Sequence, residues 1–240
     1  MFLEARHVLV GDAGWLFSSC RDYLDAGDDT TVVASPANAS VFLFMRDYLV
    51  GCEKLKVITE CNRHETIPIA GGPGKKYWKQ GVHETDVMFP LRRELEPIVD
   101  TSTPYVVIQP ENANHQKTSI CLRAIQVTTR GYSVGVEGEY IVPGTEPFHS
   151  RSFSDVARLI WHSQGVIAVY SAIALFSSLL GQKVVVLAYH GIDFKPGEQP
   201  TGHSSPRVLL LNNDDFPGMI TRIKEHIGPC LVGHEELVAA

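Results

Sequence analysis

Short apolar runs alternate with longer amphipathic segments along most of the chain. The runs predict strands at residues 7–10, 31–34, 56–58, 105–108, 132–136, 166–169 and 183–188. The longer segments predict helices at residues 15–24, 41–49, 118–130, 154–163, 171–180 and 216–227. Strands that alternate with helices are typical of β-α-β units, in which the strands are parallel and the helices cover the faces of the sheet.

The alternation is interrupted between residues 60 and 97, where glycine and proline pairs punctuate the chain. Connections of this length are usually functional or mobile. We therefore predict two α/β halves, an N-terminal lobe of residues 1–103 and a C-terminal lobe of residues 104–240. The predicted fold class is α/β, with two Rossmann-like lobes, parallel sheets and an inter-lobe cleft that binds the ligand at the carboxyl ends of the strands.

The composition narrows the class of protein. With 44% hydrophobic and 20% charged residues among 240, the chain is globular rather than disordered or fibrous. The longest apolar stretch falls short of the ~20 residues of a membrane span, and no signal peptide opens the chain, so we expect a cytoplasmic protein with no transmembrane segment. A net charge of −6 argues against a dedicated nucleic-acid binder. Five scattered cysteines predict neither a disulfide framework nor a zinc site.

Three junctions between strands and helices carry candidate chemistry. Asp12 follows the first predicted strand, where a carboxylate can act as a general base or simply occupy a turn. Lys117 ends a polar loop that suits a phosphate, although a solvated lysine would look the same. Ser171 is a natural N-cap, so its hydroxyl and the following N–H groups could cradle a diphosphate or merely cap a buried helix.

Two further features are candidates for ligand contact. A glycine-rich loop carries lysines beside aromatic residues, Lys75, Lys76, Tyr77 and Trp78. Such a loop can hold a polyanion or stack on a sugar or a base, or it can be a plain solvated loop. His190 follows the strand predicted at 183–188 and would face the cleft if that strand is parallel.

These motifs, in this order, resemble the heptosyltransferase family, glycosyltransferases of the GT-B fold that use ADP-heptose and related donors. In that family a Gly-Asp pair follows the first strand, as Gly11 and Asp12 do here. A polar loop with a lysine matches residues 109–117, and a run of helix, strand, small-residue helix, glycine and strand matches residues 153–187. The resemblance covers the element order of most of the chain and is specific from residue 105 to 187.

The resemblance implies an inverting, metal-independent glycosyltransferase with no resident cofactor and a nucleoside-diphosphate sugar as co-substrate. Asp12 would take the acceptor proton, Lys117 and Ser171 would hold the diphosphate, and Glu137 or Glu139 would bind ribose hydroxyls. By their places after strands, Tyr170, Ala172 and His190 are further candidates for contact with the donor. A glycan or lipid-linked sugar as acceptor agrees with this resemblance, whereas a modified DNA base as acceptor agrees with the loop that contains Lys75 and Trp78.

The chain departs from the family's pattern at one junction. There the family has Asp, Ser or Thr, and Gly, with a His three residues later, whereas this chain has Tyr170, Ser171, Ala172 and Leu175. A Cβ at residue 172 limits how closely a phosphate approaches the backbone. These changes indicate a different donor base or sugar, or a GT-B-like protein that binds a nucleotide without turnover. A sugar-nucleotide epimerase is a further alternative, but it needs a second catalytic acid beside Asp12.

Overall fold

The computed structural model describes residues 2–5, 24, 27, 29–60, 67–68, 90–111, 122, 125–135, 140–150, 152–188, 207–212 and 215–233. The chain divides into two compact units. The first comprises Met1–Leu95 with Arg151–Ser154, and the second Glu96–Ser150 with Asp155–Ala240. Each unit is built on its own parallel sheet.

The first unit contains a four-stranded sheet in the order β3-β2-β1-β4, in which every described pair is parallel. Its strands are β1 (Phe2–Ala5), β2 (Thr31–Ala34), β3 (Lys56–Ile58) and β4 (Ile67–Pro68). Helix α1 (Pro36–Tyr48) follows β2, and it begins where it does because the Ser35 side chain accepts a hydrogen bond from the Asn38 N–H at 3.3 Å. The apolar side of α1 is buried.

The end of α1 is held by the segment that returns after residue 89. Arg92 donates from Nε to the Asp47 carbonyl at 3.0 Å, and its backbone N–H donates to the Tyr48 carbonyl at 2.9 Å. The Arg93 guanidinium lies 4.5 Å from the centre of the Tyr48 ring. The side chain and the backbone N–H of Arg92 therefore satisfy the last carbonyls of the helix, which carry the negative end of its dipole.

The second unit contains a six-stranded sheet in the order β11-β10-β9-β5-β7-β8, all parallel. Its strands are β5 (Tyr105–Gln109), β7 (Arg130–Val134), β8 (Glu146–Phe148), β9 (Gly165–Val169), β10 (Val184–Leu187) and β11 (Val208–Leu211). Counted from β5, this is the 3-2-1-4-5-6 order of dinucleotide-binding sheets. The unit also has helix α2 (Phe153–Trp161) from Asp155 onward and helices α3 (Ala172–Leu179) and α4 (Phe216–Ile227). An antiparallel pair of strands, β6 (Ile125–Val127) and β12 (Leu231–Gly233), completes it.

Both faces of the six-stranded sheet are covered. On one face Val106 and Ile108 belong to a buried cluster that includes Ile223 of α4. On the other face the Tyr105 hydroxyl donates to the Leu159 carbonyl of α2 at 2.8 Å. Strands buried on both faces read as continuous apolar runs, which is why the sequence pattern identified β5, β9 and β10.

The α/β class with parallel sheets is confirmed. The strands predicted at 31–34 and 56–58 and the helix predicted at 216–227 match β2, β3 and α4 to the residue. The other elements that match a prediction begin and end within two residues of it, except that α1 begins at Pro36, five residues before the predicted start. The arrangement as two lobes about a cleft, and the boundary at residues 103 and 104, stay predictions. The strand predicted at 7–10 and most of the helix predicted at 15–24 lie outside the described residues. In the described ranges, no helix is long and apolar enough to cross a membrane.

The helix predicted at 118–130 is wrong from residue 125 onward. Residues Ile125–Val127 form β6, because Ile125 and Val127 are buried on either side of half-buried Gln126, a period of two rather than 3.6. Gly131 does not end a helix but lies in β7, where a Cβ would come within 3.0 Å of Thr145 Cγ2. Six described strands, β1, β4, β6, β8, β11 and β12, were not predicted.

Candidate functional site

The candidate site lies at the carboxyl ends of β5 and β9, in the middle of the six-stranded sheet. These strands are parallel neighbours, with Gln109 opposite Ala168. The strands that follow β5 in the chain, β7 and β8, lie on one side of it, whereas those that follow β9, β10 and β11, lie on the other. The strand order thus reverses between β5 and β9, and sheets of this kind bind ligands in the crevice outside such a switch point.

Ser171 begins helix α3 directly after β9. Its backbone is extended, with φ −157° and ψ 176°, and its hydroxyl oxygen accepts a hydrogen bond from the Ala174 N–H at 3.5 Å. This confirms the N-cap predicted for Ser171. The N–H groups of Ala172 and Ile173 come too early in the helix to find an acceptor within it, and they lie at the positive end of its dipole.

A hydrogen bond ties this helix to the neighbouring strand. The Ser171 hydroxyl donates to the side-chain oxygen Oε1 of Gln109, the last residue of β5. Both side chains are half-buried, while the three residues that precede Gln109 in β5 are fully buried. The bond therefore spans the switch point and fixes a polar pair at the carboxyl ends of β5 and β9.

A carboxylate stands next to this pair along the chain. Glu111 is 7% exposed although it lies just beyond the carboxyl end of β5. Buried carboxylates are rare unless they are hydrogen-bonded or paired. The sequence pattern predicts a polar loop at residues 110–117 and marks neither Gln109 nor Glu111 as a site residue. The available signal was a glutamine that ends an otherwise apolar strand.

The remainder of α3 packs on the sheet. Leu175 is 5% exposed, and all residues from Ala174 to Leu179 are buried. The Ser177 hydroxyl donates to the Ile173 carbonyl at 2.6 Å, so it is satisfied within the helix. Leu175 is therefore a core residue, and the side chains that α3 brings to the crevice come from its first turn.

Of the predicted site residues, the structure places Tyr170, Ser171 and Ala172 together at the start of α3, all half-buried. The others lie outside the described residues: Asp12, Lys75, Lys76, Tyr77, Trp78, Lys117, Glu137, Glu139 and His190. Among the residues that are described, no three His, Cys, Asp or Glu side chains converge as they would around a metal ion.

The sequence matches no protein-family model and no curated protein. Its fold resembles those of several solved glycosyltransferases. The iron-containing, dodecameric heptosyltransferase TibC of enterotoxigenic E. coli, in complex with ADP-D-β-D-heptose, superposes with a TM-score of 0.56 at 15% identity, over 87% of this chain and 61% of that one. The chain thus covers about three fifths of the length of TibC.

Two further solved structures match this chain over nearly the whole length of both proteins. The E. coli heptosyltransferase WaaC with ADP gives a TM-score of 0.54 at 11% identity, over 94% of this chain and 99% of that one. A family 9 glycosyl transferase from Veillonella parvula gives 0.53 at 11% identity, over 100% and 95%. At these identities the likeness concerns the fold, and at that level the predicted resemblance to heptosyltransferases is confirmed.

Proposed function

We propose that this chain, which has the fold of the heptosyltransferase-like glycosyltransferases, transfers a sugar from a nucleoside-diphosphate donor to an acceptor hydroxyl. The observation that carries the proposal is the polar pair of Ser171 and Gln109 at the switch point of the six-stranded sheet. Nucleotides bind doubly wound sheets at such a point, with their phosphates at a helix N-terminus. The transferred sugar would be a hexose, a pentose or a heptose.

The diphosphate would lie against the first turn of α3. The N–H groups of Ala172 and Ile173 and the helix dipole favour a negative group there. Lys117 would add a compact positive charge, Glu137 or Glu139 would accept hydrogen bonds from ribose hydroxyls, and Tyr170 and His190 would contact the donor. Because Ala172 carries a Cβ, we expect the phosphates to lie farther from the backbone than a glycine would allow.

The chemical step needs one base and one stabilised leaving group. Asp12 would take the proton of the acceptor hydroxyl, whose oxygen would attack the anomeric carbon on the face opposite the diphosphate. The bond from that carbon to the diphosphate oxygen breaks as the new glycosidic bond forms, so the anomeric configuration inverts. Backbone N–H groups and Lys117 would stabilise the charge that develops on the diphosphate, and this is the basis for proposing a metal-independent reaction.

Two classes of acceptor agree with the features of the chain. A glycan or lipid-linked sugar agrees with the family that the chain resembles, and a modified DNA base agrees with the lysines and aromatic residues at 75–78. Lys75 and Lys76 would contact phosphates, and Tyr77 and Trp78 would stack on a sugar or a base.

A thermal-shift screen with UDP, ADP, GDP, CMP and TDP and their common sugars tests the donor half of this proposal. A ligand that binds only the folded state raises the melting temperature by mass action. We expect one nucleoside diphosphate and its sugar to stand out, and incubation of that sugar nucleotide with candidate acceptors to release the diphosphate. A flat panel with all five bases would contradict the proposal.

One observation favours a second candidate function, nucleotide binding without turnover. Leu175 is buried, and Ala172 replaces a glycine, so the described part of α3 brings no cationic side chain to a diphosphate. A protein of this second kind would respond in the same screen but would neither hydrolyse nor transfer any sugar offered.

A further inference from the structure

The hydroxyl proton of Ser171 is already donated in a hydrogen bond within the protein. A serine hydroxyl has one proton to donate, and here it goes to Gln109 Oε1. The same oxygen also accepts from the Ala174 N–H at 3.5 Å. In this arrangement Ser171 has no proton left for a phosphate, although it stands where a diphosphate would be expected.

Gln109, in contrast, has hydrogen-bond donors that Ser171 does not use. Its Oε1 accepts the Ser171 proton, and this is the hydrogen bond that its side chain makes within the described part of the chain. The amide nitrogen Nε2 carries two further protons. Among the described residues, the side-chain polar atom that is both sealed from solvent and unpartnered is Ser178 Oγ. Nε2 of Gln109 is not such a sealed, unpartnered atom, and the Gln109 side chain as a whole is half-buried.

We propose that Gln109 donates a hydrogen bond from Nε2 to the diphosphate of the donor and that Ser171 is a positioning residue, which holds the amide so that Nε2 stays outward. This inference rests on the proposed function, because it assumes that a diphosphate occupies the crevice. A glutamine suits both tasks, since one end of its amide accepts from Ser171 and the other donates to an anion. A glutamate at this position would still accept a hydrogen bond from Ser171, but it has no N–H to donate and its negative charge would repel an anion.

Gln109→Glu is the test, because it keeps the size of the side chain and the acceptor for Ser171. Binding of inorganic pyrophosphate, of the best nucleoside diphosphate from the screen, and of its parent nucleoside would be measured by calorimetry. Gln164→Glu is the matched control. Gln164 is exposed and precedes β9, at the opposite edge of the sheet, so this variant makes the same change in net charge away from the crevice.

We expect Gln109→Glu to bind the nucleoside diphosphate and pyrophosphate about tenfold or more weakly than the wild type. The loss of a hydrogen bond to a charged group predicts a change of this size. Binding of the nucleoside, and all binding by Gln164→Glu, would stay as in the wild type. Ser171→Ala would weaken binding of the nucleoside diphosphate but not binding of the nucleoside. Ser171→Thr keeps the hydroxyl and would restore binding of the diphosphate. A structural defect alone would weaken both ligands equally.

The outcomes separate the two proposals. If the wild type binds a nucleoside diphosphate and Gln109→Glu binds it equally well, the role of Gln109 is overturned while the proposed function stands. If Ser171→Ala alone loses the diphosphate, the hydroxyl itself is the donor and the inference is again overturned. If the wild type binds neither pyrophosphate nor any nucleoside diphosphate, both proposals fall together.

Discussion

Ser171 and Gln109 are joined by a hydrogen bond although they are 62 positions apart in the chain. The bond connects the first residue of a helix with the last residue of a strand, at the place where the order of the six-stranded sheet reverses. It makes the start of α3 and the end of β5 a single polar unit. Ligand binding at either element is therefore expected to depend on the other.

Replacement of Asp12 by asparagine should separate binding from chemistry. The amide cannot take a proton, so we expect sugar transfer to fall by about 10²–10⁴, the usual contribution of a general base. Affinity for the donor should not change, because Asp12 is assigned to the acceptor. Transfer would be followed by release of the nucleoside diphosphate. Asp29→Asn, at an exposed carboxylate of the first unit, is the control, and full activity in Asp12→Asn would remove Asp12 from the role of base.

The two serine caps offer a matched pair. Ser35 caps α1 and Ser171 caps α3, each through its side-chain oxygen. Loss of a cap costs about 1 kcal/mol of stability, so we expect both Ser35→Ala and Ser171→Ala to lower the urea midpoint, Ser171→Ala by more because it also loses the hydrogen bond to Gln109. The two variants should differ in ligand binding, because only Ser171→Ala should weaken the binding of a nucleoside diphosphate. Equal weakening by both would assign the effect of Ser171 to stability.

Gly144 should be intolerant of any side chain. Its φ of +83° is a left-handed conformation, and a Cβ there would lie 2.1 Å from the Val127 carbonyl oxygen. We expect Gly144→Ala to cost about 3 kcal/mol or more, from the backbone conformation and the overlap together. Gly27 has the same φ of +83° with nothing within 4 Å of a Cβ, so Gly27→Ala isolates the conformational cost of about 1–2 kcal/mol. Thermal unfolding of the two variants would show the difference, and equal losses would contradict the overlap.

The stability of the second unit should fall in strong alkali. Burial raises the pKa of Tyr105 from 10.0 to about 12. The folded state therefore keeps this proton while the unfolded state loses it, and stability present below pH 10 is lost as the pH rises from about 10 to about 12. Urea unfolding at a series of pH values would follow this loss.

Tyr105→Phe is the companion variant. It removes the titrating hydroxyl, so its stability should decline less steeply over that pH window. It also leaves the Leu159 carbonyl without a hydrogen bond at 2.8 Å, which should cost about 1 kcal/mol at neutral pH. An unchanged pH dependence would show that another group, such as the buried Cys230 thiol, whose pKa is raised to about 11, dominates the loss.

The sequence pattern identified those elements whose structure follows from local features. Strand β2 is a short apolar run that is buried along its whole length, and Ser171 is a capping residue placed directly after such a run. In both, the chemistry of neighbouring residues determines the local structure. The N-cap at the site was therefore predictable.

Features set by distant partners were not predictable in this way. Ile125–Val127 lies in a segment whose length and apolar spacing predict a helix, and it forms a strand because it pairs with Leu231–Gly233. The partner of Ser171 depends on which strand lies beside β9, and no local pattern specifies that β5 does. The burial of Glu111 likewise follows from tertiary packing that its polar neighbours in sequence conceal.

The pairing of β6 with β12 has a consequence for synthesis of the protein. Val127 is matched with Leu231, and the Thr128 N–H donates to the Cys230 carbonyl at 3.0 Å. These contacts cannot form until residue 233 has emerged from the ribosome, long after β6 itself has been made. Since pairing of distant segments is slow, the nascent second unit would expose the apolar side chains of β6 during translation. That interval is when we expect the chain to be most exposed to aggregation and most dependent on chaperones.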